Sequence, residues 1–116
     1  MKKENRPTEY YFEENCYITE LLNSASDPLV SVARARVLPG VTTRWHSVQG
    51  TVERYVILEG QGCVEIGEDS PLNVYPGESV TIPPGIRQRI TNTGHDDLIF
   101  LAVCTPRFIP ERYCEE

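Results

Sequence analysis

Four side chains in this 116-residue chain have types and spacing that could do chemistry. His46, Glu53 and Tyr55 lie in the alternating stretch PGVTTRWHSVQGTVERYVILEGQG, and Gln88 follows in IRQRIT. An imidazole oriented by a carboxylate can act as general base, a phenol can act as acid, and a neutral amide can both donate and accept a hydrogen bond. Residues two apart on a strand share a face, so Arg44, His46 and Val48 form one set, Glu53, Tyr55 and Ile57 a second, and Ile86, Gln88 and Ile90 a third. If the three faces point into one barrel, His46, Glu53 and Gln88 converge. An ionised carboxylate buried without a partner costs several kcal/mol, so Glu53 then needs a cation, a donor network or a proton. A metal ion is one answer, and pairing with Arg44 or a protonated His46 is another.

The elements that must position these groups are short and β-like. From Leu29 the runs LVSVARARVL, VTTRWHSV, TVERYVIL, CVEI, LNVY, ESVTI, IRQRIT and LIFLAVC are separated by turn signals rich in Gly, Pro and Asn. About eight strands at such intervals, with no helical repeat, predict an all-β barrel or sandwich. Residues 1–28 read as an N-terminal edge strand or arm, residues 29–106 as the barrel, and residues 107–116, with two prolines, as a C-terminal arm or one helical turn. Phe100, Ala102 and Cys104 alternate together on the last long run and would floor the pocket if they face inward. Gly40, Gly60, Gly77 and Gly85, with Pro39, Pro76 and Pro83, suit the tight turns between short antiparallel strands.

The glycines, the histidine and the glutamate also have a family resemblance. Gly40, His46, Glu53 and Gly60 fall at the spacing of the first cupin motif, and Gly77, Pro83, Gly85 and Asn92 at that of the second. The chain therefore resembles a small single-domain cupin, a conical jelly-roll barrel that is often dimeric. That resemblance implies a divalent metal at the wide end, held by two histidines and a glutamate of the first motif and a histidine of the second. Here Val48 stands in place of the second histidine and Gln88 in place of the motif-two histidine. The implied metal set is His46, Glu53 and Gln88, for Fe, Mn, Ni, Co or Zn. An amide oxygen is a weaker donor than an imidazole, so such a site holds metal less tightly than a full set. The candidate catalytic residues are His46, Glu53 and Tyr55, and the candidate substrate contacts are Arg44, Tyr55, Gln88 and Phe100.

Three functions follow as expectations. The first is a metal-dependent small-molecule enzyme of dioxygenase, isomerase or decarboxylase type. The second is a metal-free cupin resembling sugar epimerases and isomerases, with His46 as base and Tyr55 as acid; the third is a binding module without chemistry. A homodimer is expected, since small cupins cover their edge strands against a twin.

Composition excludes other classes. A net charge of -6 opposes phosphate-backbone binding, so no nucleic-acid partner is expected. The longest apolar run, LIFLAVC, is too short to cross a bilayer, and the N-terminus lacks the apolar stretch of a secretory signal, so a cytoplasmic protein without membrane partners is expected. Four cysteines without CxxC spacing read as free thiols. His95, in TGHDD, reads as exposed. Arg34 and Arg36 read as partners of Glu20 and the acidic N-terminal segment at an edge or dimer contact, or as a solvated face.

Overall fold

Alternation of β-branched and polar residues sets the strands, and the turn residues divide them. The computed structural model describes residues 7–116. It contains eleven strands: β1 (Tyr10–Phe12), β2 (Cys16–Ser24), β3 (Asp27–Val37), β4 (His46–Val48), β5 (Val52–Glu59), β6 (Gly62–Ile66), β7 (Leu72–Val74), β8 (Ser79–Ile82), β9 (Gln88–Asn92), β10 (Leu98–Thr105) and β11 (Tyr113–Glu115). A six-stranded antiparallel sheet has the order β1-β2-β3-β10-β5-β8, and a five-stranded one has β11-β4-β9-β6-β7. The two pack as an all-β jelly-roll barrel around Val37, Ile57, Val64, Ile82, Ile90 and Leu98, all buried. No helix among the described residues is long and apolar enough to cross a membrane.

All eight expected runs carry a strand, β3 to β10. The flanking segments add the other three. Strands β1 and β2 lie at the edge of the larger sheet, and the first six residues of the expected 1–28 arm lie outside the described residues. The tail is more than an arm: after the 3-10 turn Pro110–Arg112, β11 pairs with β4 and joins the smaller sheet. The run VTTRWHSV is less regular than its alternation suggests. Only His46–Val48 is strand, and Thr42 makes an isolated bridge to Thr91. All four cysteines are free.

Register is what aligns the functional side chains. Strand β10 runs between β3 and β5, so Cys104 lies opposite Ser31 on one side and Glu53 on the other, and Ala102 lies opposite Ala33 and Tyr55. These are successive rungs on one face of the sheet. On the other sheet His46 lies opposite Gln88 on β9 and Glu115 on β11. Two motif residues hold the turns that fix this register. At Gly60, φ is +80° and a Cβ would meet the Asp97 carbonyl oxygen at 2.6 Å, so glycine is required twice over. Asn92 Nδ2 donates to the carbonyls of Val37 and Asp96, while its Oδ1 accepts from the Gly94 amide, clamping the turn before β10.

Candidate functional site

A cavity of about 100 Å³ runs between the sheets, lined by His46, Val48, Glu53, Tyr55, Phe100 and Cys104 among others. The space takes several waters or a ligand of a few heavy atoms. Strand β5 supplies Glu53 and Tyr55, β4 supplies His46 and Val48, and β10 supplies Phe100, Ala102 and Cys104 as the expected floor. Two groups that the alternation pattern does not reveal complete the wall: Glu14, in the turn between β1 and β2, and Tyr113 on β11.

His46 is 2 % exposed, and its orientation is fixed from several sides. Its Nδ1 lies 2.9 Å from the Arg44 carbonyl oxygen, which can only accept, so Nδ1 carries the proton and donates. Nδ1 is also 3.3 Å from Glu14 Oε2. The Tyr113 ring stacks on the imidazole, with centroids 5.4 Å apart and planes at 17°. With Nδ1 committed, Nε2 is the nitrogen left for a ligand or a proton.

Glu14 reaches this position through backbone contacts. Its carbonyl accepts from the Arg44 amide at 3.0 Å, and the neighbouring Asn15, at a positive φ of 70°, donates from Nδ2 to the Thr42 carbonyl. A tight turn is thereby pinned under the segment before β4. The Cys16 thiol lies 3.7 Å from Glu14 Oε1.

Burial dominates the electrostatics. It pushes the Glu53 carboxyl up to about 7; a charged His46 pulls it down, Glu14 pushes it up, and Gln88 and Cys104 offset the rise in part. Burial likewise pushes Glu14 up to about 7 against the opposing effect of Cys16 and Tyr113. The Cys104 thiol is pushed up to about 12, first by burial and then by Glu53, so it is a protonated packing residue at neutral pH. Tyr55 is raised well above its ordinary value by burial and by the two carboxyls. Its hydroxyl donates to Gln88 Oε1, and its ring packs on Phe100 with centroids 4.5 Å apart.

Several expected residues lie elsewhere. Arg44 does not share an inward face with His46, because the chain is not strand at that position. Its guanidinium is exposed and 3.8 Å from Glu115, and it does not line the cavity. The backbone of Arg44, rather than its side chain, serves the site. Ile86 is likewise exposed, in the turn before β9. His95 is exposed, as expected. Arg36 on β3 pairs with Glu9 and Asp97, and Arg34 with Glu9; among the described residues Glu20 is partner to neither.

A first-row metal would draw on His46 Nε2, a Glu53 oxygen and Gln88 Oε1. The Gln88 oxygen already accepts from Tyr55, and Val48, 4 % exposed on the cavity wall, has no lone pair to give. Among the described residues, no group of three or more His, Cys, Asp or Glu side chains could hold a metal ion. This donor set fits a hydrogen-bonded acid–base cluster better than a metal centre.

The motif residues in their turns and the paired sheets match one known family, whose model, described as Cupin domain, covers residues 33–104. The chain is a cupin. Among curated relatives, an oxalate-binding protein of Thermotoga maritima is 38% identical over 72 residues, 61% of this chain and 58% of that protein. The match thus spans little more than half of that relative's length. An uncharacterized protein of Methanocaldococcus jannaschii is 31% identical over 104 residues, covering 88% of this cupin and 82% of the relative. Among solved structures, the nucleoside dehydratase Pac13 superposes with a TM-score of 0.83 at 15% identity, over 100% of this chain and 92% of that one. Oxalate decarboxylase of Lactobacillus farciminis gives a TM-score of 0.80 at 20% identity, over 94% of this chain and 33% of that one. At those identities the structures share the fold alone.

Proposed function

We propose that this cupin binds a small, non-anionic molecule in its barrel and moves a proton on it without a metal. One observation carries the reading: a histidine with Nδ1 held by the Arg44 carbonyl and Glu14 shares a cavity with a second buried carboxyl, Glu53. His46 Nε2 is the base, because the ring's other nitrogen is occupied. Glu14 holds the imidazole and balances the charge it gains. Glu53, with its carboxyl near 7, is matched to give or take a proton at neutral pH. The sequence suggested Tyr55 as the acid. With its hydroxyl raised and committed to Gln88, Tyr55 suits a positioning role better. Isomerisation, epimerisation and elimination of water all need this acid–base pair, and a fold that hosts a nucleoside dehydratase and an oxalate decarboxylase does not choose between them.

The ligand named for the oxalate-binding relative does not carry over. Among the described residues no Lys or Arg lines the cavity, so there a dianion would meet Glu14 and Glu53 with His46 to balance it. A homodimer in the cytoplasm completes the reading; Leu29, Leu21, Tyr10 and Tyr11 expose apolar surface on β1, β2 and β3, toward the β1 end of the larger sheet, which a twin would cover.

Hydrogen exchange tests the activity before a substrate is known. Untagged protein in D2O with a chelator is incubated with a panel of small hydroxy and keto compounds, and deuterium incorporation is read by mass spectrometry. Exchange into at least one compound, lost in His46→Gln, is expected. Exchange that requires added metal, or that persists in His46→Gln, overturns the reading.

A further inference from the structure

We infer that the ligand of the barrel carries a protonated amine, seated on Glu53 against the aromatic wall of the cavity. The inference rests on the proposed reading that the barrel is the ligand site, and it goes on to name the ligand's chemistry.

The first observation is the sign of the wall. Glu14 and Glu53 line the interior and Glu20 stands where the cavity meets solvent, whereas among the described residues no Lys or Arg lines it. The second is a carboxylate oxygen without a protein partner. Glu53 is 8 % exposed and lines the cavity, and its Oε1 has no hydrogen-bond partner among the described residues. A buried acceptor in that condition calls for a donor, and a donor bearing positive charge makes the strongest such bond. The third is the rest of the lining. Tyr55 and Phe100 pack on the same side as Glu53, and Tyr113 and Phe12 meet edge to face with centroids 5.7 Å apart on the other. Ring faces attract ammonium groups through their quadrupoles, and they shed the water that would compete.

Alternatives use fewer of these features. A carboxylate or phosphate ligand would be repelled by both buried carboxyls. An alcohol could donate to Glu53 Oε1, yet it would gain little from the charge or the ring faces. A small alkylammonium ion uses all three, and a chain of two to four carbons suits a space of about 100 Å³.

The test is a titration of the full chain at pH 7.5, followed through backbone amide resonances, with n-propylammonium, 1-propanol and propionate as probes. All three share one carbon skeleton and differ in charge. Propylammonium is expected to bind at least tenfold more tightly than propanol, with shifts centred on Glu53, Tyr55 and Phe100, and propionate is expected not to bind in the barrel. Glu53→Gln is expected to weaken propylammonium at least tenfold and to weaken it by far more than propanol. Should that variant fail to fold, the three wild-type titrations and their shift maps decide alone. Equal or tighter binding of propanol overturns the inference and leaves the proposed function standing. Propionate binding most tightly in the barrel overturns both. Propylammonium shifts confined to acidic residues on the outer surface, or no barrel shifts with any probe, count against the amine.

Discussion

Replacing Glu53 by glutamine converts its unusual ionisation into a measurable stability. The carboxyl sits near 7 in the folded protein against 4.5 for an unperturbed one, chiefly because burial disfavours the charged form. A raised carboxyl binds its proton more tightly when folded than when unfolded. Below pH 4.5 both states hold the proton and nothing is lost. Between 4.5 and 7 the unfolded chain gives it up first, so stability falls as pH rises; above 7 both states are ionised and the loss is complete. A difference of 2.5 pH units at 1.36 kcal/mol each amounts to about 3 kcal/mol. Glu14, raised to about the same value by burial, adds a fall in the same window.

Glutamine keeps the shape of the protonated acid and cannot ionise. Glu53→Gln is therefore expected to match the wild type within about 1 kcal/mol at pH 5 and to exceed it by about 3 kcal/mol at pH 8, on the order of 10 °C in Tm for a chain of this size. Urea unfolding in the presence of a chelator, followed by Trp45 fluorescence at pH 5, 6, 7 and 8, measures both curves. Parallel curves for the two proteins would show that Glu53 does not ionise within this window. A wild type that gains stability between pH 5 and 8 would mean that the carboxyl is held down by a fixed cation, and the cluster described above would be wrong.

Two further outcomes follow from the geometry. Gly60→Ala forces both a left-handed φ and a Cβ contact of 2.6 Å with the Asp97 carbonyl, whereas Gly77→Ala, at φ +89°, meets open space. The first should destabilise by about 3 kcal/mol or more and the second by about 1–2 kcal/mol, read from chemical denaturation midpoints. Val48→His places a second imidazole on the cavity wall beside His46 and Glu53, which restores three strong donors. It should bind Co(II) at least tenfold more tightly than the wild type, with visible absorption characteristic of nitrogen and oxygen ligation; equal binding in the two proteins would place the metal elsewhere.

The barrel was legible because its signals are local. Gly40, Gly60, Gly77 and Gly85 all adopt positive φ, so the turns that separate the strands are written into single residues at fixed spacing. Asn92, read only as a motif position, proves to be a side-chain clamp on three backbone groups, a role that residue type and spacing together can mark. Alternation put His46, Glu53, Tyr55, Phe100, Ala102 and Cys104 on faces that line one cavity, since all of them lie within regular strand; Gln88 is buried behind Tyr55 and does not line it. Alternation failed at Arg44 and Ile86, which precede β4 and β9 in segments that are not strand, where period-two facing no longer holds.

Glu14 and Tyr113 were hidden for a different reason. Glu14 is one of seventeen acidic residues and sits in FEEN, a polar stretch with no period of its own. Nothing within ten residues on either side of it names His46 as its partner. The contact exists because β2 pairs with β3 and the Arg44 amide reaches the Glu14 carbonyl across some thirty residues of chain. Tyr113 reaches the same imidazole from the opposite end, through the pairing of β11 with β4. Both lie outside residues 33–104, the part that matches the family model. The motif spacing thus accounts for the vessel and for one histidine and one glutamate within it. The flanking segments supply the second carboxyl and the stacked ring, and under the proposed function these are what turn a depleted metal pattern into an acid–base site. An attempt to move the function to another cupin barrel by copying only His46, Glu53 and Gln88 should therefore give a barrel that folds and no proton transfer, with activity appearing only when Glu14 and Tyr113 are brought across with their strands.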